Sequence, residues 1–251
     1  MKFTWLIVGL ILVSVTMGAV ILGTHSNDSR SSFVLQGSPD QFKLNTGFPE
    51  SPVSAPMYRV VATDSIFEGS PKSMEIKADI PSEAEAPALA VKALEKYGGL
   101  PKDAVLYKSI SVYRNKYNLT TETIEEKYPL RTQVIYLQQV NGAPVIGPGA
   151  EINIELGENG ELLEIEKAWR TLEYAGDVPV ISAEEAFEKL NKGELLVKYQ
   201  SPLNGINISD IKIGYFAEHR THNQKYFTPV WIFSGTDKGN NPIQLPVTAT
   251  R

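Results

Sequence analysis

His219 and His222 are the only two imidazoles of the chain that stand close in sequence, and three residues apart on a helix they could share a metal ion. They flank Arg220 in a polar segment between two strand-like runs, with no carboxylate in a recognised ligand motif. They therefore read as solvated turn residues, and no metal site is expected. His25 borders an apolar segment and adds nothing to the pair. Glu122, Glu125 and Glu126 supply carboxylates close enough for paired acid–base work. Set among Thr and Lys, they read as a solvated face. Gly142, Gly147 and Gly149 make a glycine-rich stretch, but a phosphate cradle needs a following Lys-Ser or Lys-Thr at the opening of a helix, and neither is present. A nucleophilic serine on a G-x-S-x-G turn and a zinc-protease H-E-x-x-H helix are both missing from the sequence. No catalytic, cofactor-binding or metal-ligating residue is expected.

Composition narrows the classes further. There is no cysteine, which removes disulfides, thiol nucleophiles, thiolate zinc sites, iron–sulfur clusters and an acylated lipoprotein cysteine. The net charge is -5, without a basic block, so a nucleic-acid partner is not expected. Hydrophobic residues make up 42% and charged residues 21%, enough apolar side chain for a folded core. Asn27, Asn118 and Asn207 each begin an N-x-Ser/Thr sequon in loop-like context and are candidate glycosylation sites.

The elements that would position these residues begin with the membrane. Trp5 to Leu22 is an apolar run without charge. Its eighteen residues would span roughly 27 Å as a helix, close to a hydrocarbon core of about 30 Å. Trp5 lies where an interfacial aromatic anchors a helix, and Lys2 favours a cytoplasmic N-terminus. A cleaved signal peptide is the competing reading, although Met17 would fill the -3 position of a site at Gly18-Ala19. Either way the remainder is exported. The expected organisation is a cytoplasmic stub and transmembrane anchor over 1–24 and a flexible linker over 25–56. A first α+β unit over 57–176 and a second over 177–251 would follow.

Ser82-Glu83-Ala84-Glu85 and Ser182-Ala183-Glu184-Glu185 are both capping-box sequences. Ala183, Ala186, Phe187 and Leu190 then recur at helical spacing and Gly193 ends the run. After the first box, Ala90, Ala93, Leu94 and Tyr97 make a similar stripe ended by Gly98-Gly99, although Pro87 requires that helix to begin late. Strand-like runs follow each helix: Val105–Tyr113, Leu130–Val140, Ala150–Leu156 and Glu161–Trp169, then Asp210–Ala217, Tyr226–Ser234 and Pro242–Ala249. Asn141-Gly142 marks a hairpin, and Pro229 an edge or a bulge. The expected fold class is α+β: an N-terminal transmembrane helix followed by two helix-plus-antiparallel-sheet units, a diverged duplication with its boundary near Gly176-Asp177-Val178-Pro179.

Tyr136 through Gly147, followed by Glu151-Ile152-Asn153-Ile154 and Asn159-Gly160-Glu161-Leu162, resembles the hairpin of PepSY-type domains and of the propeptides of thermolysin-like metalloproteases. The run from Trp169-Arg170-Thr171-Leu172 through Val180-Ile181-Ser182-Ala183-Glu184-Glu185-Ala186 resembles the YycI-type accessory regulators that sit beside a sensor kinase, a likeness that implies one N-terminal anchor and two helix-plus-sheet units outside. These resemblances carry no catalytic residue and no cofactor.

The functional expectation is a membrane-anchored extracytoplasmic binding or regulatory module without enzymatic activity. Its partners would be a protein at or near the cell membrane and the lipid bilayer through residues 5–22. The propeptide likeness implies an alternative, a protease inhibitor or chaperone acting in trans; an enzyme of unknown type is a third class.

Overall fold

The computed structural model describes residues 41–69, 75–199 and 203–251. The Trp5–Leu22 run, His25, Asn27 and the first half of the expected linker, residues 25–40, lie outside the described residues. Among the described residues no helix is long and apolar enough to cross a membrane.

Eleven strands and two α-helices follow the order β1 (Phe42–Leu44), β2 (Ser54–Gly69), α1 (Ala86–Leu94), β3 (Ala104–Asn118), β4 (Thr123–Val140), β5 (Ala143–Ile146), β6 (Glu151–Leu156), β7 (Leu162–Pro179), α2 (Ala183–Asn191), β8 (Ile206–Phe216), β9 (Tyr226–Phe227), β10 (Pro229–Thr236) and β11 (Pro242–Thr248). The strands hydrogen-bond in one path, β11-β10-β8-β5-β4-β6-β7-β2-β9, with β1 added on β8 and β3 on β4. Because β9 and β10 are consecutive pieces of one chain segment broken at Thr228, the path curls back on itself. Tyr226 and Phe227 pair with β2, while the residues from Pro229 onward pair with β8. Pro229 carries no N–H to continue the ladder, which accounts for the break.

Each helix covers one apolar patch of this sheet. Ala86, Ala90 and Leu94 of α1 are fully buried with Val134, Tyr136, Ile152, Ile154, Ile165 and Trp169. Small residues at helical spacing let α1 lie close to the sheet, where its burial removes apolar area worth about 25 cal/mol per Å². The Ser82 box forms, with Glu85 N–H donating to Ser82 Oγ at 3.3 Å and Ser82 N–H to Glu85 Oε2 at 3.1 Å. It closes a turn ahead of α1 and leaves Pro87 in the first helical turn, where a proline is tolerated. Ser182 caps α2 with both reciprocal bonds of the box. That helix buries Ala183, Ala186 and Leu190 against Ile206, Ile208, Trp231, Phe233, Leu245 and Val247. A third cluster fills the closure of the curl, with Tyr58, Val140, Val145, Ala150, Tyr215, Ala217 and Phe227.

The expected α+β class of two helix-plus-sheet units is not what forms. The molecule is mostly β, with two nine-residue helices laid on one continuous sheet. Two features account for the difference. First, β2, the outer halves of β3 and β4, and the end of β7 are strands whose side chains are largely exposed on both faces. Such strands have no apolar alternation to announce them, since backbone pairing alone fixes them. Second, β5 pairs parallel with β8, and β9 antiparallel with β2, which joins the segments around each helix into one sheet. Gly176 to Pro179, read as a boundary, lies inside β7 and pairs with the start of β2.

Candidate functional site

β3 and β4 pair from Asn118↔Thr123 to Ala104↔Gln138, but β6 joins β4 only over Thr132–Leu137. Beyond that limit the two strands continue outward as a two-stranded ribbon. A ribbon of this kind is marginal by itself and depends on what packs against it. Strand alternation places Tyr113, Asn115 and Tyr117 on one face, opposite Pro129, Lys127 and Ile124. The other face carries Arg114, Lys116, Glu126 and Thr123.

Two register shifts along the ribbon, at Val112/Tyr113 and Lys116/Tyr117, add an extra β4 residue each. The second brings Glu125 and Glu126 to the same side, where Lys116 Nζ lies 3.7 Å from Glu125 and 2.6 Å from Glu126. The hydrogen bond to Glu126 holds the Lys116 ammonium above the usual lysine range. Bulges also twist a ribbon and make it a poor template for indiscriminate strand addition. The polar face is thus occupied internally, whereas Tyr113 (46% exposed), Tyr117 (47%), Ile124 (45%) and the tip residue Leu119 (58%) are apolar side chains in solvent. Asn115 and Lys127 stand between Tyr113 and the Tyr117–Ile124 pair, so the apolar cluster is the set Tyr117, Ile124 and Leu119 at the ribbon end, with Tyr113 a further exposed ring on the same face. Single exposed apolar residues are ordinary, but such a cluster on an otherwise polar ribbon marks an interaction surface. Tyrosine suits such a surface because it buries a large rigid ring at low entropic cost and keeps a polar tip. The Tyr117 hydroxyl already donates to Glu122 O at 2.7 Å, which fixes the ring at the ribbon end.

The carboxylates singled out in the sequence therefore sit at this ribbon: Glu122 in the turn with φ 55°, and Glu125 and Glu126 on the charged face. Asn118 closes the same turn. Its Oδ1 accepts from Thr120 and Thr121 N–H, and its amide donates to Glu125 at 2.7 Å. Asn207 lies half-buried inside β8, paired with Lys43 and Thr236. Asn118 and Asn207 stand on separate elements, and Asn27 lies outside the described residues.

His219 and His222 belong to the connection between β8 and β9, far in sequence from the ribbon. His219 Nδ1 is 2.9 Å from Thr221 Oγ1, and His222 Nδ1 is 3.8 Å from Glu218. Among the described residues no three His, Cys, Asp or Glu side chains gather as a metal site. The glycine-rich stretch has a packing role. A Cβ on Gly149 would lie 1.9 Å from Glu218 O, and one on Gly147 would lie 2.4 Å from Ala217 O. These glycines let the β8–β9 connection approach the backbone after β5.

Sequence reasoning missed the ribbon because residues 114–129 carry mixed polar and apolar side chains without a simple period. The available signal was Tyr113, Tyr117 and Ile124 standing in an otherwise charged stretch.

A family model described as YycI protein matches residues 70–245. No curated protein matches the chain. Among solved structures, an uncharacterized protein from Eubacterium rectale ATCC 33656 is similar over 70% of this chain at 12% identity, with a TM-score of 0.33. The match covers 55% of that protein, so the chain spans about half its length. The likeness to PepSY domains and metalloprotease propeptides rests on the sequence runs Tyr136–Gly147, Glu151–Ile154 and Asn159–Leu162 alone.

Proposed function

Because the chain belongs to the YycI protein family, we propose that it is a regulatory accessory protein of a sensor-kinase system that works by stoichiometric contact through the apolar face of the β3–β4 ribbon. In this reading Trp5–Leu22 anchors the chain in the cell membrane, and the folded region lies outside the cytoplasm. The partner is a membrane or exported protein of the same system. The observation that carries the contact surface is the uncovered set Tyr113, Tyr117, Ile124 and Leu119 on a ribbon that no other strand supports. Burying such side chains in a partner would contribute about 1–2 kcal/mol each, enough for a specific complex once the ordering cost is met.

A photo-crosslinking residue placed at Tyr117 of the full-length chain in native membranes should give one discrete protein adduct. The same residue at Lys192, exposed at the end of α2, should not give that adduct. Equal yields from both positions, or no adduct from Tyr117, would refute the assigned surface. The topology is tested separately: protease added to intact cells should remove a C-terminal tag, and a tag protected until lysis would contradict it.

A further inference from the structure

Glu151 opens β6 on the sheet face opposite α1. It stands across from Ala168 of β7, so Glu166 and Arg170 are its two diagonal neighbours on that strand. Across β4 it meets Leu137, an apolar side chain. The connection between β8 and β9, residues 217–225, packs over the same face. Arg220 Nη1 reaches Glu166 at 3.2 Å, with its guanidinium 5.7 Å from the centre of the Phe67 ring, and Phe67 pairs with Glu166 across β2 and β7. The hydrogen bonds of Arg170 go to β2 and to the connection. Arg170 donates to Thr63 Oγ1 at 2.5 Å, and its other amino group approaches the carbonyls of Glu218 and His222 at 3.4 and 3.5 Å. The connection is further closed by Gln224, whose amide donates to Phe216 O and whose carbonyl accepts from Glu218 N–H. Glu151 thus shares a face with a carboxylate whose cation is supplied by a loop, while its own other diagonal cation is committed elsewhere.

We propose that the 217–225 connection is a proton-sensitive latch, held shut over β7 by the Arg220–Glu166 ion pair while Glu151 is neutral and loosened when Glu151 ionises. A second carboxylate in that enclosed space repels Glu166, and opening the connection lets water reach it. Burial first, and the neighbouring Glu166 charge second, raise the Glu151 carboxyl to about 7, so the change falls near neutrality. The other charged or titratable groups on this face are Arg170 and Glu164 of β7, Glu155 of β6 with its partner Arg131 of β4, Lys108 of β3 opposite Ile135, and Glu218, His219, His222 and Lys225 of the connection itself. Since the connection leads directly into β9, the latch governs the short pairing of Tyr226 and Phe227 with β2 that closes the curl.

Hydrogen–deuterium exchange of residues 219–223 in the full chain, with rates corrected for the intrinsic effect of pH, reads the opening directly. The closed state holds a proton that the open state releases. Opening should therefore rise by up to about tenfold per pH unit between roughly pH 5 and pH 7, then level off. Glu151→Gln should flatten this profile and stay protected, and Glu166→Gln should exchange fast at every pH. A His219→Gln/His222→Gln variant should keep the wild-type profile. A flat wild-type profile, an unchanged slope in Glu151→Gln, retained protection in Glu166→Gln, or a slope that disappears with the two histidines would each overturn the latch.

Discussion

Glu151 shows how one side chain links the sheet to the pH of its surroundings. Its folded carboxyl is raised to about 7 by burial and by Glu166. The folded state therefore retains a proton across a window in which the unfolded chain has already lost it, from the usual glutamate range up to about pH 7. Stability from this group is fully present at the acidic end of that window, falls as pH rises, and is constant above it. Relative to Glu151→Gln, the wild type should lose on the order of 3 kcal/mol between pH 4.5 and pH 8. Chemical denaturation of both proteins at the two pH values measures this, and an unchanged difference would contradict it. Gly149 makes a second residue-scale case. A methyl group there would collide with the Glu218 carbonyl, a backbone atom that cannot rotate aside. Gly149→Ala should lower stability by about 1–3 kcal/mol, readable as a lowered midpoint in the same denaturation series.

At the scale of elements, what was legible in the sequence is what obeys local rules. The two Ser-x-x-Glu boxes form their reciprocal bonds because cap chemistry depends only on nearby residues. Ile152, Ile154 and Leu156 alternate with polar neighbours and are completely buried, while the polar face is itself covered, with Glu155 buried and Glu151 and Asn153 part-buried. Asn141 and Gly142 take φ of 49° and 82°, and the turn they form is pinned by Asn141 donating to the Tyr58 hydroxyl at 2.7 Å. A β-branched residue resists that backbone region, so Gly142→Val should cost about 1 kcal/mol or more, seen as a lower thermal midpoint. An unchanged midpoint would argue against the strain. The illegible elements are those decided by distant pairing. Nothing local in Ser54–Gly69 indicates a sixteen-residue strand, because its order comes from the ladder to β7. The outer ribbon is hidden for the same reason, since its strands are specified by each other and its apolar face has no core to report. Consequently the candidate site was the part of the molecule least visible in the sequence, while the motifs that drew attention there, the His pair and the glycines, have packing and turn roles.

Among the described residues, four apolar clusters hold one curled sheet, and the helices serve as covers. This arrangement leaves the ribbon outside the core. Changes on its apolar face should then separate binding from folding, which a core surface could not do. Exposed positions away from the core typically shift stability by no more than about 0.5 kcal/mol, whereas buried interface tyrosines can dominate a complex.

The most direct test of the central claim is quantitative recovery of the partner with a triple variant, Tyr113→Ser/Tyr117→Ser/Ile124→Ser, in the full-length chain. After crosslinking in native membranes, the partner recovered per accessory chain should fall at least tenfold, with the thermal unfolding midpoint of the variant unchanged. Undiminished recovery from a folded variant would show that the ribbon is not the contact surface and would contradict the account.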